Sequence, residues 1–386
     1  MKRVLVRGPL LSISGYGTHT RQVFRWLDSK PNVQVAVQIL PWGRTPWLIN
    51  PELEDGLVGK IMEASAPSQP PFDASFQVQL PNEWDPSLAR YNVGISAFVE
   101  TDRCNPAWID ACNRMQHVVV PSSFIKTTIS NTGSVIPAVS VIPESYYDCL
   151  SQKAPSIEMD LNLTTDFNLL IFGQITGNNP WSDRKNTFFA IKWLCEEFAE
   201  DSDVGIILKS NFGSNTTIDR KVTANNMTSL LNEVRKGEYP KFYLLHGRLN
   251  PEEMHSIYKN PKIKGMVSAT RGEGFGLPFL EAAVSDLPIL TTDWSGHLDF
   301  LNSGKFIKFN YDLKEVHESK IDNQIFMKDT KWAEVREDDF KSKVRKFKEK
   351  SDKPKQWAVE LGEKLRNSHN QAAISEKYEE VFSTIL

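Results

Sequence analysis

The stretch Ser268-Ala-Thr-Arg-Gly-Glu-Gly-Phe-Gly-Leu-Pro-Phe-Leu-Glu281 constrains the chain more than any other. Met266-Val267 before it reads as a strand end, and Leu277-Pro278-Phe279-Leu280 after it reads as a helix start. Proline suits the first helical turn, where its missing N–H has no intrahelical use. Gly272, Gly274 and Gly276 alternate with other residues, so the backbone can turn sharply and approach a ligand closely. Unpaired amides and a helix N-terminus then meet at one place, which suits an anion. Glu273 lies in the loop and Glu281 on the helix, with seven residues between them. Helical side chains lean toward the N-terminus, so Glu281 can look into the same cleft as the loop. An anion-binding loop beside two carboxylates that accept hydroxyl hydrogen bonds is what a sugar nucleotide needs.

The rest of the chain repeats this strand–loop–helix order. Val4-Leu-Val-Arg7 reads as a first strand, Gly8-Pro9 and Ser12-Ile-Ser-Gly-Tyr-Gly17 as a loop, and Thr18 as the cap of a helix whose Val23, Phe24 and Leu27 share a face. Further strands are expected over 33–40, 76–80, 93–99, 118–120 and 139–143, with one helix starting at Pro106 and another capped by Ser122. A second series starts with a strand over 168–172 and a helix led by Asp183-Arg-Lys-Asn186. It continues with strands over 204–208 and 242–246, the 268–281 stretch, and Leu287-Pro-Ile-Leu-Thr-Thr292. The alternation predicts an α/β fold with a parallel sheet in each half and a cleft between two Rossmann-like domains. A length of 386 residues agrees with two domains. The boundaries expected are 1–150, a polar linker over 151–166, 167–356, and a final helix over 357–386.

Composition narrows the function. With 40% hydrophobic and 24% charged residues the chain reads as globular, and a net charge of −3 argues against a nucleic-acid binder. No apolar run approaches the length that crosses a bilayer, and Arg7-Gly8 cut the apolar start short of a signal peptide. Cys104, Cys112, Cys149 and Cys195 show no metal or disulfide spacing, and a reducing cytoplasm is the expected home. The lysine-rich run 341–355 reads as a solvated helix face, or as a patch for a phosphorylated acceptor or for anionic lipid at the inner membrane surface. Asp201-Ser-Asp203 has the form of a metal-binding Asp-x-Asp but follows a helix in a charged turn, and reads as a loop.

Glu-x7-Glu within Gly-Glu-Gly-Phe-Gly-Leu-Pro-Phe-Leu-Glu-Ala resembles the signature of retaining glycosyltransferases of the family 4 type (glycosyltransferase group 1), which have the GT-B fold. Phe98-Val-Glu-Thr-Asp102, Pro106-Ala-Trp108, Asn113-Arg-Met115 and the run from Val118 to Phe124 resemble that family's acceptor domain. The resemblance covers most of the chain and is weak over 48–70. It implies an acceptor-side domain, a donor-binding domain, and a C-terminal segment crossing back to the first domain. The activity implied is retaining transfer of a mannose- or glucose-type hexose from a UDP, GDP or ADP sugar to a glycan or lipid-linked acceptor, in polysaccharide biosynthesis. No cofactor and no metal are implied.

By the same resemblance Glu273 holds the transferred sugar and Glu281 the ribose hydroxyls, while the backbone of Gly274, Phe275, Gly276 and Leu277 lies near the sugar and phosphates. Lys185, in Arg184-Lys185-Asn186, resembles the diphosphate lysine. Gln174 stands where the family often has an arginine, so Arg184 or Lys209 is expected to supply that charge, and Arg248 is a further donor-side candidate. Gly15, Tyr16 and Gly17 would face the cleft from the acceptor side. Glu100 and Asp102 follow a strand's carboxyl end, where ligands of α/β sheets sit, and are candidate catalytic groups. Three other readings compete. A dinucleotide-fold dehydrogenase lacks its third glycine, since Thr20 stands there, and its acidic strand end. A glycoside hydrolase would leave the lysines without a role. A sugar-nucleotide-binding scaffold without turnover draws its support from Gln174.

Overall fold

The computed structural model describes residues 1–68, 70–173, 179–211, 213 and 215–386. Among them, strands form two six-stranded sheets whose pairings are parallel. The first contains β1 (Lys2–Gly8), β2 (Val33–Ile39), β3 (Phe72–Val78), β4 (Ala89–Ile95), β5 (His117–Val120) and β6 (Ala138–Val141), in the order β2-β1-β3-β4-β5-β6. The second contains β7 (Phe167–Phe172), β8 (Val204–Ser210), β9 (Lys241–His246), β10 (Ile263–Ser268), β11 (Ile289–Thr292) and β12 (Ile307–Phe309), in the order β12-β11-β10-β7-β8-β9. A separate antiparallel hairpin joins β13 (Tyr311–Glu315) to β14 (Lys331–Val335). The chain divides into two compact units, Met1–Ser145 with His369–Leu386, and Tyr146–Ser368.

Helices cover the parallel strands, which is why apolar runs rather than alternation mark them. In the first unit the helix Gly15–Asp28 buries Val23, Phe24 and Leu27 as its periodicity predicts. Ser14 rather than Thr18 caps it, accepting from the Gly17 amide, so Gly15, Tyr16 and Gly17 form its first turn instead of a loop. Strand β4 ends at Ile95, four residues short of the expected limit, because Ser96 and the residues after it turn away and Phe98 takes φ +50°. β3 begins at Phe72, ahead of the expected 76.

The final segment is two helices rather than one. Asp352–Ser368 belongs to the second unit, where Leu361 and Leu365 are buried and Arg366 pairs with Asp286 at 2.7 Å. Asn370 interrupts the apolar period and caps the helix Gln371–Phe382, which packs on the first unit. There Tyr378 stacks on Trp26 at 4.8 Å and Phe382 meets Phe76 edge-on at 5.2 Å. The second unit starts earlier than the expected linker, since Tyr146 and Leu150 are already buried in its core. The helix Thr217–Val234 escapes sequence reading because its polar residues hide the widely spaced Met227, Leu230 and Val234.

The lysine-rich run falls largely in the helix Glu337–Glu349, and several of its charges are answered within the protein. Lys341 pairs with Glu196, Arg345 with Glu197 and Asp201, and Lys348 with Asp201 and Asp203. The paired side of the helix is therefore an ion-pair lattice, which Asp201-Ser-Asp203 serves, while Lys346, Lys350, Lys353 and Lys355 are exposed. No helix among the described residues is long and apolar enough to cross a membrane. Phe382 is fully buried, so Phe382→Ala should destabilise the first unit by about 3–5 kcal/mol in urea unfolding. A loss well under about 1 kcal/mol would contradict the packing described.

Candidate active site

In the second sheet the chain runs outward from β7 through β8 to β9, and from β10 through β11 to β12 on the other side. The carboxyl ends of β7 and β10 thus form the topological switch point where α/β sheets take ligands. The 269–276 loop emerges there from β10, and the helix Leu277–Val284 follows it with Pro278 in its first turn. Gly276 closes the loop at φ +97°, and a Cβ there would lie 3.0 Å from His297 Cβ and from the Phe279 ring. Only glycine satisfies both constraints. Phe275 turns its side chain into the core, 5.1 Å from the Phe300 ring, and Leu277 packs against the same cluster. Of these residues the backbone is what remains for a ligand.

Glu273 is 5% exposed. Lys185 Nζ donates to both its oxygens at 2.7 and 2.9 Å, Arg184 Nη1 stands 3.3 Å away, and the Thr270 hydroxyl donates at 2.9 Å. Burial alone would raise the carboxyl, but Lys185 and Arg184 outweigh it and hold it at about 2. Arg184 also donates to the Gly272 carbonyl. Asp183 shapes the cationic loop by accepting from the Lys185 and Thr187 amides at 2.9 and 2.7 Å. Ser295 holds the other side, accepting from the Glu273 amide at 2.9 Å and lying 3.3 Å from His297 Nδ1. His297 Nε2 lies 2.9 Å from the Thr292 carbonyl, which can only accept, so Nε2 carries the proton and Nδ1 accepts from Ser295. Burial keeps this imidazole neutral in spite of Glu273. Thr270, Ser295 and His297 carry no local motif, although Ser295 and His297 follow the carboxyl end of β11.

Glu281 is half-buried one helical turn in, where Tyr258 donates to it at 2.9 Å. Burial pushes its carboxyl up to about 7, against the hydrogen bond from Tyr258 and the charge of Lys209. Lys209 lies inside β8, 6% exposed, with Nζ donating to the Gly247 carbonyl at 2.6 Å and to Asn211 at 2.9 Å. Burial brings it down to about 8, opposed by Glu253 and Glu281. Lys209 thus belongs with Glu281, whereas Arg184 joins Lys185 at Glu273. Arg248 is exposed, directly after Gly247. Gln174 lies outside the described residues.

In the first unit Tyr16 ties the helix Gly15–Asp28 to the residues that follow β4. Its hydroxyl lies 2.9 Å from Ser96 Oγ and accepts from the Ala97 amide at 3.0 Å, and its ring stacks on Trp42 at 4.1 Å. It thereby pins the start of the segment that leads to Glu100 and Asp102, both half-buried. Gly17 is demanded by close approach, since a Cβ would meet the Ser12 carbonyl at 2.1 Å, whereas Gly15 has open space around it. Among the described residues no cluster of three His, Cys, Asp or Glu side chains is placed to hold a metal.

The sequence model of the family Glycosyl transferases group 1 matches residues 228–330, the span that holds β10, the glycine loop and both glutamates. No curated protein matches the chain by sequence. Among solved structures, HepE of Anabaena in complex with UDP-glucose is 12% identical with a TM-score of 0.63, over 100% of both chains. Sucrose-phosphate synthase of Thermosynechococcus elongatus is 12% identical with a TM-score of 0.62, over 100% of this chain and 99% of that one. TarM of S. aureus is 15% identical with a TM-score of 0.51, over 80% of this chain and 54% of its own. The chain thus spans about half of TarM, and 56% of the pneumococcal O-GlcNAc transferase GtfA. At these identities the likeness establishes the GT-B fold. Together with the family match it supports a group 1 glycosyltransferase.

The Glu281 environment makes a prediction with a definite sign. Its folded value lies above the ordinary 4.5, so its contribution to stability is complete below pH 4.5 and declines as pH rises through about 7. The Tyr258 hydroxyl favours the ionised form, so Tyr258→Phe should move the Glu281 midpoint further up in a carbon-detected NMR titration. A downward move would contradict the assignment.

Proposed function

We propose that the chain is a retaining, metal-independent glycosyltransferase that moves a mannose- or glucose-type hexose from a nucleoside-diphosphate sugar to a glycan or lipid-linked acceptor. The observation that carries this reading is the Lys185–Glu273–Arg184 cluster at the β7/β10 switch point, within the span that matches the family. A departing nucleoside diphosphate gains negative charge, and cations fixed beforehand lower the barrier because they need no reorganisation. Lys185 and Arg184 supply that charge, with the N-terminus of the helix Leu277–Val284 adding its dipole. Arg184 takes the part of the arginine that Gln174 does not provide. In the free protein both cations rest on Glu273. When the diphosphate arrives, Lys185 and Arg184 bridge it to Glu273, which stays ionised beside them and accepts hydrogen bonds from the hydroxyls of the transferred sugar.

Glu281, with Lys209 behind it, accepts from the ribose hydroxyls. Glu100 and Asp102 contribute to the acceptor side, as do Gly15, Tyr16 and Gly17. Of the UDP, GDP and ADP donors the uridine sugar comes first for testing, since HepE, which shares the fold along its whole length, is bound to UDP-glucose.

Lys185→Ala should lower transfer by about 100-fold or more, as loss of one charge-stabilising donor does. Glu273→Ala should impair transfer more than it weakens nucleotide binding, and equal losses would contradict the sugar-holding role. Turnover unaffected by a chelator, and a product with the donor's anomeric configuration by proton NMR, are the expected results. Nucleotide binding without turnover on any sugar donor would favour the scaffold reading instead. Glu281 must ionise to accept from two hydroxyls, so UDP-glucose should bind more tightly as pH rises from about 6 to about 8. Glu281→Gln should flatten that dependence in calorimetry.

A further inference from the structure

Arg271 is fully buried, and each nitrogen of its guanidinium donates a hydrogen bond. Nε and Nη2 donate to the two oxygens of Glu334 on β14, at 2.8 and 2.9 Å. Nη1 donates to the carbonyls of Pro180 and Asp183, at 3.0 and 2.5 Å. The plane lies over Trp332 at 5.3 Å and Phe189 at 5.9 Å. The backbone of the same residue continues the pattern. Its amide donates to the Arg184 carbonyl at 2.8 Å, and its carbonyl accepts from the Ala333 amide at 3.0 Å. One residue therefore joins three segments: the loop of Glu273, the loop of Arg184 and Lys185, and the hairpin of β13 and β14.

The position of this joint matters more than its strength. Asp183, whose carbonyl Arg271 holds, directly precedes Arg184 and Lys185, and Gly272 alone separates Arg271 from Glu273. A rigid planar fork sets the spacing of two loops in a way that a flexible ammonium does not. Glu334, its side chain 11% exposed, fixes the plane of the fork and balances its charge. Arg271 has no exposed atom for a substrate to reach.

We propose that Arg271, oriented by Glu334, is a positioning residue that sets the Arg184–Lys185 loop against Glu273, making the β13–β14 hairpin the outer support of the donor site. This inference rests on the transferase reading for its meaning in turnover. Its geometric content stands on the bonds of Arg271 to Glu334, Pro180 and Asp183 alone.

A double replacement separates positioning from simple stabilisation. Arg271→Met with Glu334→Leu removes both buried charges together, a change that often leaves stability intact. It also removes the bonds to Pro180 and Asp183. The expected outcome is a urea midpoint near that of the wild type, with Glu273 titrating toward the ordinary carboxylate range and kcat down by about tenfold or more. Donor KM should change less than kcat. A folded double variant with a wild-type Glu273 titration and kcat would overturn the proposal, because the pair would then be a replaceable salt bridge. Should the double variant not fold, Arg271→Lys keeps the charge but cannot span Glu334 and both carbonyls, and it must show the same Glu273 and kcat changes or the proposal fails. The Glu273 titration, read by carbon-detected NMR, needs no turnover. A shifted titration in a protein without transfer activity would thus count against the transferase reading and leave the positioning role standing.

Discussion

Both oxygens of Glu273 are taken up by Lys185, and so little of the side chain reaches solvent that water contributes little to balancing its charge. A carboxylate in that setting either takes a proton or finds cations. Here the cations come from a loop far away in sequence, which ties the carboxyl end of β10 to the residues beyond β7. The surroundings follow from this need. Asp183 folds the cationic loop, Thr270 and Ser295 fix the glutamate from its other sides, and Gly276 permits the approach of His297 that completes the frame.

The same interaction connects fold to chemistry. Cations stored on an internal carboxylate are already ordered before an anionic ligand arrives, so little side-chain entropy is lost when it binds. Glu281 shows the opposite solution to the same problem. With no ion pair to it among the described residues, burial raises its carboxyl to about 7, against Tyr258 and the nearby charge of Lys209. Two glutamates with seven residues between them thus differ in protonation because their partners differ.

Much of this was legible in the sequence, and the reasons are local. Glycines at 272, 274 and 276, Pro278 and the strand before them act through backbone geometry, which neighbouring residues set. Lys185 was legible through its motif. Other features depend on contacts between distant segments, which leave no periodic trace. Arg271 looked like one more residue of the loop, while its partner Glu334 lies in a hairpin with no strong pattern of its own. Tyr258 reaches Glu281 from another helix. The swap of Ser14 for Thr18 as a cap, and the division of the last helix at Asn370, arise where several residues could do the same work and packing decides among them. The paired charges of the 341–348 run illustrate the same limit, since composition reports their number but not their partners.

The measurement that tests the central claim most directly is calorimetric titration of the protein with UDP, GDP and ADP in the presence of a chelator. The account predicts saturable, metal-free binding of one nucleotide in clear preference to the other two, in a 1:1 ratio with the chain as expected of a single switch-point site. Absence of binding by all three would contradict it, leaving the glycine loop a structural turn and the Lys185–Glu273 pair an internal salt bridge.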